Sequence, residues 1–84
     1  MQYVYIIKSI KTKKIYIGCT SDLKRRLKEH NEGKNYTTMR MLPIELVYYE
    51  AYKSKEDAKN REKQLKRYGN ALLFLKKRIK NCLS

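Results

Sequence analysis

"VYIIKSIKTKKIYIGCTSDLKRRLKEH", residues 4–30, decides the fold. It begins with two Tyr-centred apolar runs. "YVYIIK", 3–8, and "KIYIG", 14–18, are rich in β-branched and aromatic residues and read as strands. A short polar loop joins them, which predicts an antiparallel hairpin. Tyr5 and Tyr16 lie 11 positions apart. In a hairpin with an even-numbered loop, directly paired residues differ by an odd number. Under that condition both tyrosines point to one face, because side chains alternate along a strand. A helix over 22–31 follows, capped by Thr20 or Ser21, with Asp22 in its first turn and a stop near Gly33. Leu23 and Leu27 form its apolar stripe. Arg26 and His30, at +3 and +7 from Leu23, border the same stripe.

Further along, "EGKNYTTMRMLP", 32–43, reads as a loop with a single carboxylate, closed by Pro43. "IELVYYEAY", 44–52, reads as a third strand, placed in the interior of the sheet. Ser54 with Asp57 resembles a capping box for a helix over 55–67, on which Ala58, Glu62 and Leu65 share a face. Gly69 and Asn70 punctuate the chain, and "ALLFLKKRIK" gives a third amphipathic helix. The expectation is an α+β fold in the order ββαβαα. A small three-stranded antiparallel sheet is flanked by helices in one domain, 1–84.

Composition narrows the function classes. Lys and Arg total 21 against 8 Asp and Glu, a formal charge of +13 over 84 residues. Such an excess repels itself, and its ordinary explanation is a polyanionic partner, nucleic acid first. The N-terminus "MQYVYII" offers neither a basic amphipathic helix nor a lipidation signal, so no membrane role is expected. No apolar run approaches the ~18 residues of a membrane span. Cys19 and Cys82 lack zinc spacing and make no disulfide framework, which suits a reduced, cytoplasmic chain. No protein partner is expected.

Three polar residues break the core pattern: Arg26, His30 and Glu62. Singly, each has an ordinary reading. Arg26 is one of many solvated cations, His30 a hydrogen-bonded packing residue, and Glu62 an i,i+4 partner of Lys66. Together they supply what phosphodiester cleavage needs. A tyrosine hydroxyl orients water, an arginine clamps phosphate oxygens, and one carboxylate holds a divalent ion that keeps several waters. The sequence offers no tight carboxylate cluster of the kind a two-metal site uses. Lys24, Arg25, Lys34 and Arg40 are candidate phosphate contacts.

The set "YVYI", "YIG", "T-x-D-L-x-x-R-L-x-x-H" and "A-x-x-R-E-K-Q-L-K" resembles the GIY-YIG nuclease domain, most closely its small stand-alone bacterial members, over about residues 3–80. The resemblance implies that Tyr5 and Tyr16 approach the nucleophilic water and the scissile phosphate. It makes Arg26 the phosphate-stabilising arginine, His30 its companion four residues on, and Glu62 the ligand of a single Mg²⁺ or Mn²⁺. Gly18 closes the second motif, where a missing side chain lets backbone approach substrate. Thr37 matches a polar loop position and Asn81 a C-terminal asparagine. Two departures stand out. Tyr3 replaces the first motif's glycine, and Cys19 stands where some relatives carry lysine, so the base falls to Tyr5, Tyr16 or His30. The implied function is a metal-dependent DNA endonuclease acting in repair or processing. The alternatives are a non-catalytic basic DNA- or RNA-binding module that retains the fold, or a ribosome-associated basic factor.

Overall fold

The computed structural model describes residues 1–67 and 69–84. Strands β1 (Gln2–Ser9), β2 (Ile15–Thr20) and β3 (Ile44–Tyr52) form one antiparallel sheet in the order β2-β1-β3. Helix α1 (Leu23–Asn31) lies between β2 and β3 in the chain. Helices α2 (Lys55–Arg67), α3 (Gly69–Arg78) and the short α4 (Lys80–Leu83) follow β3. The α+β layout is the expected one.

The interior strand is β1, not β3 as expected from the sequence. The last six residues of β1 are all buried, whereas β3 alternates with solvent-facing Glu45, Tyr49 and Ala51. The aromatic richness of 44–52 looks like an interior run, but its regular exposed positions are those of an edge.

The hairpin between β1 and β2 closes when Ser9 N–H donates to the Lys14 carbonyl at 2.8 Å, with Lys13 in the left-handed region at φ 68°. This leaves an even-numbered loop. Tyr16 then pairs with Ile7, and Gly18 with Tyr5, so both tyrosines share a face. A register shift between Ile6 and Ile7 in the β1–β3 ladder inserts Val47 as an extra residue. The bulge keeps Leu46 and Ile44 on the Tyr5 face while Val47 and Tyr48 turn to the other.

The two faces of the sheet carry separate cores. Val4, Ile6 and Ile17 pack beneath Ala58 and Leu65 of α2 and Leu75 of α3, with Ile79. Each fully buried Val, Ile or Leu among them contributes about 1.5–3 kcal/mol. Opposite, Tyr5, Ile7 and Ile44 pack with Leu23 and Leu27 of α1 and with Met41 and Leu42.

Several boundaries differ from the sequence expectation. Asp22 is the N-cap of α1, its carboxylate accepting from Arg25 N–H at 3.1 Å, while the Thr20 hydroxyl accepts from Asp22 N–H at 3.1 Å. The acidic residue wins the cap because two side-chain acceptors are stepped through one turn. The 32–43 loop contains a single 3-10 turn, Met39–Met41, before the cis Leu42–Pro43 peptide. Gly69 and Asn70 lie within α3, and α3 ends at Arg78 before α4 opens at Lys80. α4 is tied back to the sheet, because buried Lys8 donates from Nζ to the Leu83 carbonyl.

Candidate active site

Tyr5 is the centre of the polar cluster. It stands on the interior strand, fully buried under α1, and its ring lies across Gly18 of the neighbouring strand. A Cβ at position 18 would meet Tyr5 Cε1 at 2.9 Å, with Cζ and Oη nearer still. The sequence reading gave Gly18 to substrate approach. Its immediate reason in the fold is room for the Tyr5 phenol.

The Tyr5 hydroxyl lies 2.8 Å from His30 Nε2. His30, buried in the last turn of α1, places its other ring nitrogen, Nδ1, 2.7 Å from the Thr38 hydroxyl. Thr38 is also fully buried, and its backbone N–H donates to Asn35 Oδ1 at 3.1 Å. The loop residue that reaches the cluster is therefore Thr38. The sequence reading chose Thr37, which is exposed. Tyr16 stands edge-on to His30, its ring centroid 5.6 Å from the imidazole.

The electrostatics follow from burial. Burial pushes the Tyr5 phenol up to about 12, and the positive Arg26 guanidinium nearby pulls in the opposite direction. Burial lowers the pKa of His30, and Arg26 lowers it further against a weaker opposing pull from Glu29. The imidazole is thus neutral at pH 7 and carries one N–H. Two buried neighbours, Tyr5 and Thr38, can each donate or accept, so the pair of contacts fits either tautomer.

Arg26 reaches the cluster from the flank of α1 and is paired with Glu29 at 3.3 Å. It lines a groove of about 230 Å³ with Glu29, Lys34 and Asn35. Arg25, its neighbour, is exposed, as are Lys24, Lys34 and Arg40. The spacing argument thus separates the two arginines by burial.

Glu62 projects from α2, between the buried Ala58 and Leu65. Its charge adds, after burial, to the rise in the Cys19 pKa and, as the smallest contribution, to that of Tyr5. Its partner Lys66 reaches Tyr16 of the edge strand β2, which puts Glu62 on the β2 side of the sheet. It forms an ion pair with Lys66 at 3.3 Å, and Lys66 Nζ also sits 5.6 Å from the centroid of the Tyr16 ring. Lys66 entered the sequence reading only as a helix-surface partner. The fold makes it a cation of the cluster.

No group of three or more His, Cys, Asp or Glu side chains gathers into a metal cage among the described residues. The donor set is one carboxylate. That set fits a hard ion such as Mg²⁺, which keeps most of its waters and draws on substrate phosphate. Lys66, with 43% of its side chain exposed, has solvent to move into. Asn81 is exposed on α4, which packs on α3 and β3, away from this cluster.

One half-buried carboxylate went unnoticed in the sequence. Glu50 accepts from Tyr48 at 2.6 Å, Tyr52 at 2.5 Å, and Arg61 through two bonds of 3.0 Å each. Burial alone would raise its pKa, but these bonds outweigh it and hold the carboxylate below its ordinary value. It ties α2 to β3 one residue before Glu62.

The GIY-YIG catalytic domain model matches residues 1–80. The UPF0213 protein of Streptococcus pyogenes serotype M3 is 45% identical over 67 residues, covering 77% of this chain and 71% of that protein. The UPF0213 protein of Clostridium perfringens is 42% identical over 69 residues, covering 80% and 72%. No solved structure matches. No helix among the described residues is long and apolar enough to cross a membrane. With its tyrosine pair on one sheet face, and a family model and relatives that span most of its length, the chain belongs to the GIY-YIG catalytic-domain family.

Proposed function

We propose that this chain is a cytoplasmic, metal-dependent endonuclease that hydrolyses phosphodiester bonds in DNA, in repair or processing. The observation that carries the reading is the setting of the Tyr5 hydroxyl: 2.8 Å from a neutral, buried imidazole and near the Arg26 guanidinium. Burial of this kind is expensive for packing alone, since each polar group must be satisfied. It is the arrangement proton transfer requires.

In this reading the water is held by the half-buried Tyr16 and meets the Tyr5 hydroxyl when substrate binding opens the cluster, since Tyr5 is fully buried without substrate. His30 carries its proton on Nδ1, donated to Thr38, leaving Nε2 free to accept. Tyr5 takes a proton from the water as it passes its own to Nε2. The transfer is concerted, because a phenol near 12 does not ionise beforehand. The oxygen of the water bonds to phosphorus, and Arg26 offsets the charge that builds on the phosphorane. The bond to the leaving oxygen breaks, and that oxygen takes a proton from solvent. Glu62 would hold one Mg²⁺ or Mn²⁺, which when bound supplies positive charge at the phosphate. Lys24, Arg25, Lys34, Thr37 and Arg40 lie exposed to receive the DNA backbone, with Gly18 beneath the reacting centre.

A second reading has its own observation. The Glu62–Lys66 ion pair is what a purely structural glutamate needs, and it favours a binding module that does not cut. Glu62→Gln separates the two. A supercoiled-plasmid nicking assay in Mg²⁺, Mn²⁺ and EDTA is run beside thermal melts of both proteins. The nuclease reading expects metal-dependent nicking by wild type, none by the variant, and a melting temperature unchanged or higher. A destabilised variant that cuts as well as wild type would end the metal-ligand assignment.

A further inference from the structure

A second groove lies apart from the one beside Arg26. It measures about 440 Å³ and lies across α1, walled by Tyr3 and Tyr49 and by Ser21, Asp22, Leu23, Lys24 and Leu27. The proposed hydrolysis uses none of its side chains except Lys24, as a phosphate contact. Its size is that of a small-molecule site.

The sheet builds it. Tyr3 and Tyr5 point to the same face of β1, and Tyr49 of β3 pairs directly with Tyr5. Tyr3 and Tyr49 therefore stand together at the end of the face that carries the hydroxyl cluster. Their rings meet edge to face, with centroids 6.0 Å apart and planes at 66°. The pairing does not bury them: Tyr49 remains 52% exposed. A tyrosine that served only the core would turn its ring inward, as Tyr5 does.

We infer that this cavity receives an unpaired nucleobase of the bound strand, stacked on Tyr49 against Tyr3. The inference rests on the nucleic-acid reading above and sharpens it to the substrate's form. An exposed aromatic face binds any base, because every base has a π-face. Within an uninterrupted duplex those faces are already stacked on one another, so only single-stranded, looped or branched substrate offers one. The rim is polar where a base edge would lie, with Ser21 and Asp22, whose Oδ1 already accepts from Arg25 N–H. Lys24 supplies the positive charge that the adjoining phosphate requires. At +13, the chain as a whole favours a polyanion over an acid-poor protein partner.

The test is binding in EDTA, so that no cleavage is needed. Fluorescence anisotropy compares wild type, Tyr49→Phe and Tyr49→Ala on a labelled single strand, on the same strand made fully abasic, and on its intact duplex. The stacking site expects Tyr49→Ala to weaken single-strand binding by about 5- to 100-fold, the range of one base–aromatic stack. Tyr49→Phe should bind like wild type, and neither variant should move duplex or abasic binding more than about twofold. Equal losses on single strand and duplex, or no loss on either, would overturn the site while leaving the nuclease reading standing. No measurable binding of wild type to any of the three would overturn both. Normal single-strand discrimination with no plasmid nicking would keep the site and remove the nuclease. A melt of Tyr49→Ala that matches wild type fixes the loss on the contact.

Discussion

The two faces of the sheet solve opposite problems with the same strand. On the α2–α3 face, β1 contributes Val4 and Ile6 to a core of aliphatic side chains. On the α1 face it contributes Tyr5, and the helix that should complete an apolar seal brings a buried histidine, His30, with Thr38 behind it. The first face holds the molecule together. The second gives up apolar contact to keep three polar groups dry and in register. Glu50 shows that half-buried polarity alone does not mark chemistry, since each of its oxygens is bonded on the stabilising face. The difference is that its partners are all protein, whereas the Tyr5 cluster borders the Arg26 groove and the β2 side of the sheet, where Glu62 lies.

Mutations that strike each face in turn test this division. Leu65→Ala removes a fully buried side chain from the stabilising face and is expected to cost about 2–5 kcal/mol, read by urea denaturation. Below its melting range it should nick plasmid at the wild-type rate, and a proportional loss of cutting would erase the distinction. Arg26→Ala should cut about 10²–10³-fold more slowly with DNA binding nearly intact, while Arg25→Ala mainly weakens binding. Identical behaviour of the two variants would mean that the burial of Arg26 has no catalytic meaning. Gly18→Ala should cost about 1–3 kcal/mol in stability and also remove cutting, because the new methyl displaces the Tyr5 ring. A crystal structure or tyrosine NMR shifts would show whether the ring has moved.

The smallest effect is in pH. The folded-state pKa of His30 lies below its ordinary value near 6.5. The unfolded chain therefore binds the proton first as pH falls, and stability declines from about pH 6.5 downward until the folded histidine titrates as well. The melting temperature should drop between pH 7 and 5, and His30→Asn should flatten that part of the profile. Cutting should fall on the same acid limb, as Nε2 loses its lone pair.

Much of this was legible in the chain. The 11-residue spacing of Tyr5 and Tyr16 gives them a common face once the hairpin loop is even-numbered, and the heptad arithmetic from Leu23 puts Arg26 and His30 beside the stripe. What was not legible depended on contacts between distant segments. Thr37 and Thr38 are neighbours in a loop with no periodicity, so only the folded 32–43 segment distinguishes them. Glu50 sits in a strand that reads as aromatic, and its partner Arg61 comes from another element. Lys66 lies one turn from Glu62 on the helix, and nothing in that spacing says that it also reaches the ring of Tyr16 around the sheet edge. β3 was misplaced for a related reason, because strand order is set by which edge each crossing leaves open.

The contact between Gly18 and the Tyr5 ring constrains descent as well as packing. Because the ring tip itself occupies the space of a Cβ, trimming only the hydroxyl to phenylalanine would not make room for a side chain at 18. A side chain at 18 therefore requires that the ring at 5 be displaced or that the residue there be shortened past its ring. Across relatives the two should behave as a single inherited character: where the glycine has been replaced, the ring at 5 is expected to be displaced or lost.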